Sequence, residues 1–223
     1  MKDAPLLRGN VLARMVALFA GLIVIAVAIV SMLESGLGLP PWDVFHMGVA
    51  EHTPLSLGNA AIVVGLALIA IAWVAGTAPG FGTVANAIVI GLAIDVLSAI
   101  PAVERLSGSA LPVRIFLVAV GILLFGVGSA LYIGAGFGAG PRDSLMLVLT
   151  RRTGWRIGAV RAGIEVIVLA AGLLLGGVAG IGTVALALLV GPSVELSFWA
   201  LIRARLALPG SRQAQEFGPL DVG

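Results

Sequence analysis

Gly80-Phe81-Gly82-Thr83-Val84-Ala85 and Gly180-Ile181-Gly182-Thr183-Val184-Ala185 are the same segment met twice, 100 residues apart. The offset holds elsewhere without a gap. Gly36-Leu37-Gly38 falls on Gly136-Phe137-Gly138, Pro41 on Pro141, Asp43 on Asp143, Gly58 on Gly158 and Gly91 on Gly191. One offset kept across four separated segments is a duplication. An internal repeat in an apolar chain is the sequence mark of a transporter or channel built around a pseudo-symmetric centre.

The rest of the chain is apolar enough for that reading. Of 223 residues 60% are hydrophobic and only 11% charged, against about 25% charged in a soluble domain, and the mean hydropathy is +1.14. There is no cysteine, which excludes disulfides, thiolate metal sites and thiol nucleophiles. Lys2 is the single lysine; the other basic residues are arginines clustered near helix ends. That pattern signals membrane topology and gives no nucleic-acid surface.

Each half follows one plan. A long apolar helix covers about 12–33 and about 112–133; a Gly-rich, Pro-broken segment follows; two further apolar helices cover about 58–77 and 81–100, and about 158–178 and 181–202. Each run approaches the ~20 residues that cross a ~30 Å hydrocarbon core. Val11–Leu33 is too long for a signal-peptide core and matches Leu111–Ile133, so it is read as a retained span. Short helices are predicted after Pro41 (about 41–52) and Pro141 (about 141–151). They are too short to span, so they dip in and return or lie along the interface. The expected fold is an all-α polytopic membrane protein of six spans. Its first repeat is 1–105, its second 106–208, and a disordered cytoplasmic tail covers 209–223. With the N-terminus inside, eleven basic residues lie inside and two, Arg105 and Arg114, outside. The positive-inside rule then puts both termini in the cytoplasm and inverts the second half relative to the first.

The stretch Gly36-Leu37-Gly38-Leu39-Pro40-Pro41-Trp42-Asp43-Val44-Phe45 resembles the YczE/YyaS/YitT-type bacterial integral membrane proteins, whose mark is Gly-x-Gly leading into Pro-Trp-Asp. The Gly80-Phe81-Gly82-Thr83 turn and Asp95 look similar as well. The resemblance runs over most of 12–202 and implies a multi-pass protein of the bacterial cytoplasmic membrane. It implies no particular activity. The second copy departs from the pattern, with Arg142 where the first has Trp42, so a ligand contact by the tryptophan belongs to one half only.

Several residues are candidates for chemistry. Asp43 and Asp143 each follow a proline in the first turn of a short helix, which suits simple capping. The same geometry makes an anion site when two half-helix N-termini face each other across the midplane. Gly36, Gly38, Trp42, Asp43, Gly136, Gly138, Arg142 and Asp143 are therefore the expected substrate site. Asp95 and Glu195 lie at matching depth in the last helix of each half. They either snorkel to the headgroups or couple transport to an ion or proton. Glu165 stands four residues after Arg161, a spacing for an ion pair on one helix face. His46 shares a face with Asp43, but with His52 it falls short of a metal site. Thr83 and Thr183 read as N-caps, and the glycines as helix-packing faces.

The expected function is a secondary transporter or channel for a small anionic or zwitterionic solute. The alternative is a non-transporting assembly factor or regulator that docks a cytoplasmic partner on the arginine-rich 142–161 segment. Arg151, Arg152 and Arg156 also suit anionic lipid. The glycine faces allow a homodimer. No cofactor, metal or enzymatic activity is expected, since no nucleophile–base spacing or ligand cluster is found.

Overall fold

The computed structural model describes residues 5–209. The tail assigned from Pro209 therefore falls, after its first residue, outside the described residues. The described residues are mostly helical. Strand β1 (Leu6–Leu7) leads into α1 (Val11–Ser35), α2 (Pro41–Glu51), α3 (Leu57–Val74), α4 (Phe81–Ser98), α5 (Pro101–Glu104), a 3-10 turn at Arg105–Gly108, α6 (Leu111–Ala135), α7 (Pro141–Thr153), α8 (Ile157–Leu174), α9 (Ile181–Arg203) and β2 (Ala207–Leu208). Six of these, α1, α3, α4, α6, α8 and α9, are long and apolar enough to cross a membrane. Much of their apolar surface faces outward, including Val74, Leu174 and Ile181, as lipid contact requires.

Local sequence sets the helix ends. Asn10 caps α1, accepting from the Ala13 amide at 2.9 Å, and Ser56 caps α3, accepting from Asn59 at 3.1 Å. Pro41 and Pro141 open the short helices at the first turn, where the missing N–H costs nothing. Helices α1 and α6 stop at Gly36 and Gly136, both left-handed, a conformation that glycine adopts without a Cβ clash. Helices α3 and α8 end earlier than the 77 and 178 read from hydropathy, because Gly76 and Gly176 take positive φ. The threonines of the repeated turn are not N-caps. Gly80 and Gly180 hold the cap positions, and Thr83 and Thr183 reach back from the third helical residue to accept the cap N–H at 3.1 Å. The two-residue strands β1 and β2 pair antiparallel, Leu6 with Leu208 and Leu7 with Ala207. Nothing so short is visible in a hydropathy pattern.

Helices α1 and α6 form the central layer and run antiparallel. Gly21 lies against Gly128 and Tyr132, and Gly121 against Ala28 and Met32. A side chain at Gly21 would come within 2.7 Å of the Gly128 carbonyl, so the glycines are what let the two backbones approach. Leu18, Leu22, Ile25 and Ile29 fill the core beside them.

The halves interlock through reciprocal contacts. The Gly182 amide donates to the Leu37 carbonyl and the Gly82 amide to the Phe137 carbonyl, each at 2.8 Å. Each Gly-x-Gly stretch thus receives the turn of the other half. Likewise α2 lies on α8 and α7 on α3. Arg114 at the start of α6 donates from Nε to the Ser35 carbonyl (2.5 Å) and from a terminal nitrogen to Gly36 (3.1 Å). Arg14 at the start of α1 donates to the Ala135 carbonyl (2.8 Å) and stacks over Phe137. Each long helix therefore begins with an arginine that caps the other's C-terminus, where carbonyls lack helical partners. Charge-assisted hydrogen bonds contribute about 1.5–3 kcal/mol each. Arg114→Ala is expected to destabilise by about 2–3 kcal/mol, and Arg14→Ala by less. Unfolding in mixed micelles checks the order, and equal or negligible losses would remove the clamp from the stability account.

Candidate functional site

Between the two halves lies a cavity of about 550 Å³. Its floor comes from α1 and α6 (Ile25, Ile29, Phe125, Ser129, Tyr132), its sides from α3, α4, α8 and α9, and the first two turns of α2 and the first turn of α7 project into it (Trp42, His46, Arg142, Asp143). Most of the wall is aliphatic. The polar groups are few and converge, as in small-molecule sites.

The two short helices bring their acids to this place, but the environments differ. Asp43 is 1% exposed. Its Oδ1 meets His46 Nδ1 at 3.1 Å and the Arg142 guanidinium, from the other half, at 3.6 Å. Arg142 also sits over the Trp42 ring, 5.1 Å from its centre. Buried carboxylates need such partners, because leaving one unpaired costs several kcal/mol. Asp143 has no ion-pair partner within 4 Å among the described residues and is part of the cavity wall. The reason is in the sequence. Arg142 crosses to the acid of the first half, and the residue in the matching position of the first half is Trp42, which cannot return the charge.

Asp95 and Glu195 also part company. Asp95 accepts from the Ser56 hydroxyl (2.5 Å) and the Gly58 amide (2.9 Å), binding the end of α4 to the start of α3. Gly58 and Gly91 are so close there that a Cβ on either would collide with the other's carbonyl. Glu195 is exposed and makes no side-chain hydrogen bond among the described residues. Around Gly158 and Gly191, the counterparts of Gly58 and Gly91, nothing lies within 4 Å of where a Cβ would sit. Helix α3 is packed along α4, whereas α8 stands away from α9, and the cavity reaches out between them to Arg161, Glu165, Val194 and Glu195.

Of the residues expected at a substrate site, Trp42, Arg142 and Asp143 line the cavity; Glu195, expected as a coupling residue, stands at its edge. Asp43 lies behind Arg142 and His46. Gly36, Gly38, Gly136 and Gly138 lie at the seam between the halves, where they are packed against the Gly180 and Gly80 turns or the arginine clamps. Asp95 holds the closed α3–α4 edge. The expected Arg161–Glu165 pair is present at 3.1 Å, and His52 bonds the Gly48 carbonyl. Arg151, Arg152 and Arg156 are exposed. Sequence reasoning missed Tyr132, whose hydroxyl is buried without a well-aligned hydrogen bond among the described residues; its counterpart at the repeat offset is Met32, so the duplication gave no signal. Asn86 and Ser129, also in the wall, were missed for the same reason. Their counterparts at the offset are Leu186 and Ile29, so no repeated polar residue marks either position.

A family model described as a family of unknown function, DUF6198, matches residues 12–198. The uncharacterized membrane protein YczE of Bacillus subtilis (strain 168) is 35% identical over 209 residues, 86% of this chain and 93% of that protein. An uncharacterized protein of Haemophilus influenzae is 38% identical over 172 residues, 77% of this chain and 76% of its own length. The uncharacterized protein YyaS of Bacillus subtilis is 24% identical over 164 residues, 73% of this chain and 81% of its own. YczE and YyaS are the relatives that the Gly36–Phe45 motif led us to expect. No solved structure matches.

Proposed function

The chain belongs to the DUF6198 family, and we propose that this membrane protein is a secondary transporter of a small anionic or zwitterionic solute, with its path between two inverted three-helix repeats. The short helices α2 and α7 enter from opposite faces as re-entrant segments and meet at the cavity. The protein sits in the bacterial cytoplasmic membrane with both termini in the cytoplasm, as the arginine distribution favours.

The observation that carries the reading is the broken symmetry at the ends of α4 and α9. Two halves of one sequence plan hold equivalent edges in opposite states: Asp95 fastens α4 to α3, while Glu195 is unbonded among the described residues and α8 stands off α9. Alternating access in repeat-built transporters consists of the two halves exchanging such states around a fixed site. In the proposed orientation the open edge faces the cytoplasm. In the opposite state Glu195 would fasten the start of α8, with Arg156 standing where Ser56 stands in the first half.

Sidedness is tested with the natural absence of cysteine. Ser56→Cys is expected to react with an impermeant maleimide in intact cells, and Thr153→Cys only after lysis. Labelling of both from one side would remove the inverted arrangement. Transport is tested by counterflow into proteoliposomes across a panel of small anions and zwitterions. Accumulation should be lost in an Asp95→Asn, Glu195→Gln double variant. Absence of counterflow with every solute, in correctly oriented vesicles, would sink the transporter reading.

A second reading draws on the exposure of Arg151, Arg152 and Arg156. They suit anionic lipid or a cytoplasmic partner, and replacing all three would then abolish function with the fold and the cavity intact.

A further inference from the structure

We propose that the cavity recognises its solute by a protonated nitrogen, held between the Asp143 carboxylate and the Tyr132 hydroxyl. This rests on the transporter reading for its biological meaning, but the binding chemistry stands on the geometry of the cavity alone.

Three observations converge. Arg142 looks like an anion receptor, yet it is engaged with Asp43 and stacked on Trp42. Arg161, the other arginine of the wall, is engaged with Glu165. Each arginine is thus matched by an acid before any solute arrives. Asp143 and Glu195 are left over as carboxylates without a cationic partner within 4 Å among the described residues. The unmatched charge in the cavity is negative.

The Tyr132 hydroxyl is the second observation. Tyr132 is 5% exposed, its hydroxyl makes no well-aligned hydrogen bond among the described residues although the Gly140 amide lies beside it, and the residue lines the cavity. A buried hydroxyl left unbonded is costly, which a bound polar group would relieve. The third is Gly140. A Cβ built there would lie 3.0 Å from the Tyr132 hydroxyl and 3.3 Å from Asp143 Oδ2. The absent side chain keeps open the space onto which both groups face.

A carboxylate beside a hydroxyl oxygen, in an aliphatic cavity, is a receptor for an ammonium group, which has three donors and no acceptor. The cavity, about 550 Å³, is far larger than a bare ion needs, and its apolar wall suits the carbon skeleton of an amine. Of the two solute classes, this selects the zwitterion, read from its amino end.

The test uses three probes of one chain length on the purified full-length protein: hexylamine, 6-aminohexanoate and hexanoate. Binding is read by isothermal titration in detergent, with sodium chloride at equal ionic strength as the control. Hexylamine and 6-aminohexanoate should bind, and hexanoate should not. Asp143→Asn should weaken hexylamine by about tenfold to a hundredfold, the loss of one charge-assisted hydrogen bond. Gly140→Ala puts a methyl group into the space at an ordinary φ of −60° and should weaken it as well. Tyr132→Phe, which removes only the hydroxyl, keeps the test decisive if Asp143→Asn fails to fold. Hexanoate binding as tightly as hexylamine, a response to sodium alone that equals the amine's, or amine binding unchanged in Asp143→Asn or Tyr132→Phe would each overturn the proposal. Amine binding through Asp143 with no counterflow would support this site while sinking the transporter reading. Counterflow of anions with no amine binding would do the reverse.

Discussion

Arg142→Ala should destabilise the protein by about 1–3 kcal/mol, the cost of leaving a buried polar group short of a partner, since Asp43 is 1% exposed although the Arg142 side chain beside it is 35% exposed. Asp43 would keep its His46 contact at 3.1 Å but lose the only guanidinium within reach among the described residues. Its Oδ2 is already buried without a hydrogen bond, so little remains to offset a full charge. The lost stacking over Trp42 adds to the cost. Asp43→Asn in the Arg142→Ala background should recover part of the loss, because a neutral amide at that position no longer needs a counter-charge. Titration with a denaturing detergent, read by circular dichroism, measures both. An Arg142→Ala protein as stable as the parent would show that Asp43 does not depend on the cross-repeat pair.

Gly58→Ala and Gly158→Ala, at equivalent places in the repeat, should differ sharply. A methyl group at Gly58 would run into the Gly91 carbonyl and the Asp95 carboxyl, wedging α3 from α4 at the point where Asp95 fastens them. Overpacking of this kind costs about 1–3 kcal/mol, occasionally more. At Gly158 nothing lies within 4 Å, its φ is not positive, and Gly→Ala at such a position stabilises by about 0.4–1 kcal/mol. Gly158→Ala should therefore leave thermal stability unchanged or slightly raised, yet slow counterflow if the proposed transport cycle operates, since closure of α8 on α9 would bring that methyl group against Gly191. Equal stability losses at both positions would mean that the two edges are packed alike in solution. Full exchange activity in Gly158→Ala would mean that α8 and α9 never close in the manner of α3 and α4.

The spans were legible because apolar runs near twenty residues have few other uses, and the short helices because Pro41 and Pro141 start them. The repeat offset located equivalent positions, but it is silent on whether a contact forms within a half or between halves. Leu37 accepts from Gly182 and not from Gly82, and both choices read identically in sequence. Arg14 and Arg114 showed as topology charges, since nothing near them in sequence reveals the carbonyls they cap. The difference between Asp43 and Asp143 was present in the chain as Trp42 against Arg142. Its meaning needed the crossing of the two halves, which sets one arginine beside the opposite acid. Tyr132 carried no signal at all: an isolated tyrosine in a hydrophobic run is ordinarily a packing residue or an interfacial anchor.

The interlocking of the halves also constrains how the chain is made. Arg14 emerges from the ribosome 121 residues before Ala135, the carbonyl it caps. At ordinary synthesis rates that interval is on the order of ten seconds. Through most of it α1 lacks the Arg114 cap, and through all of it Asp43 is without its guanidinium and α2 without α8. The first half is therefore no independent folding intermediate. A ribosome stalled between the halves would present quality-control proteases with three complete spans and none of the contacts that the second half supplies.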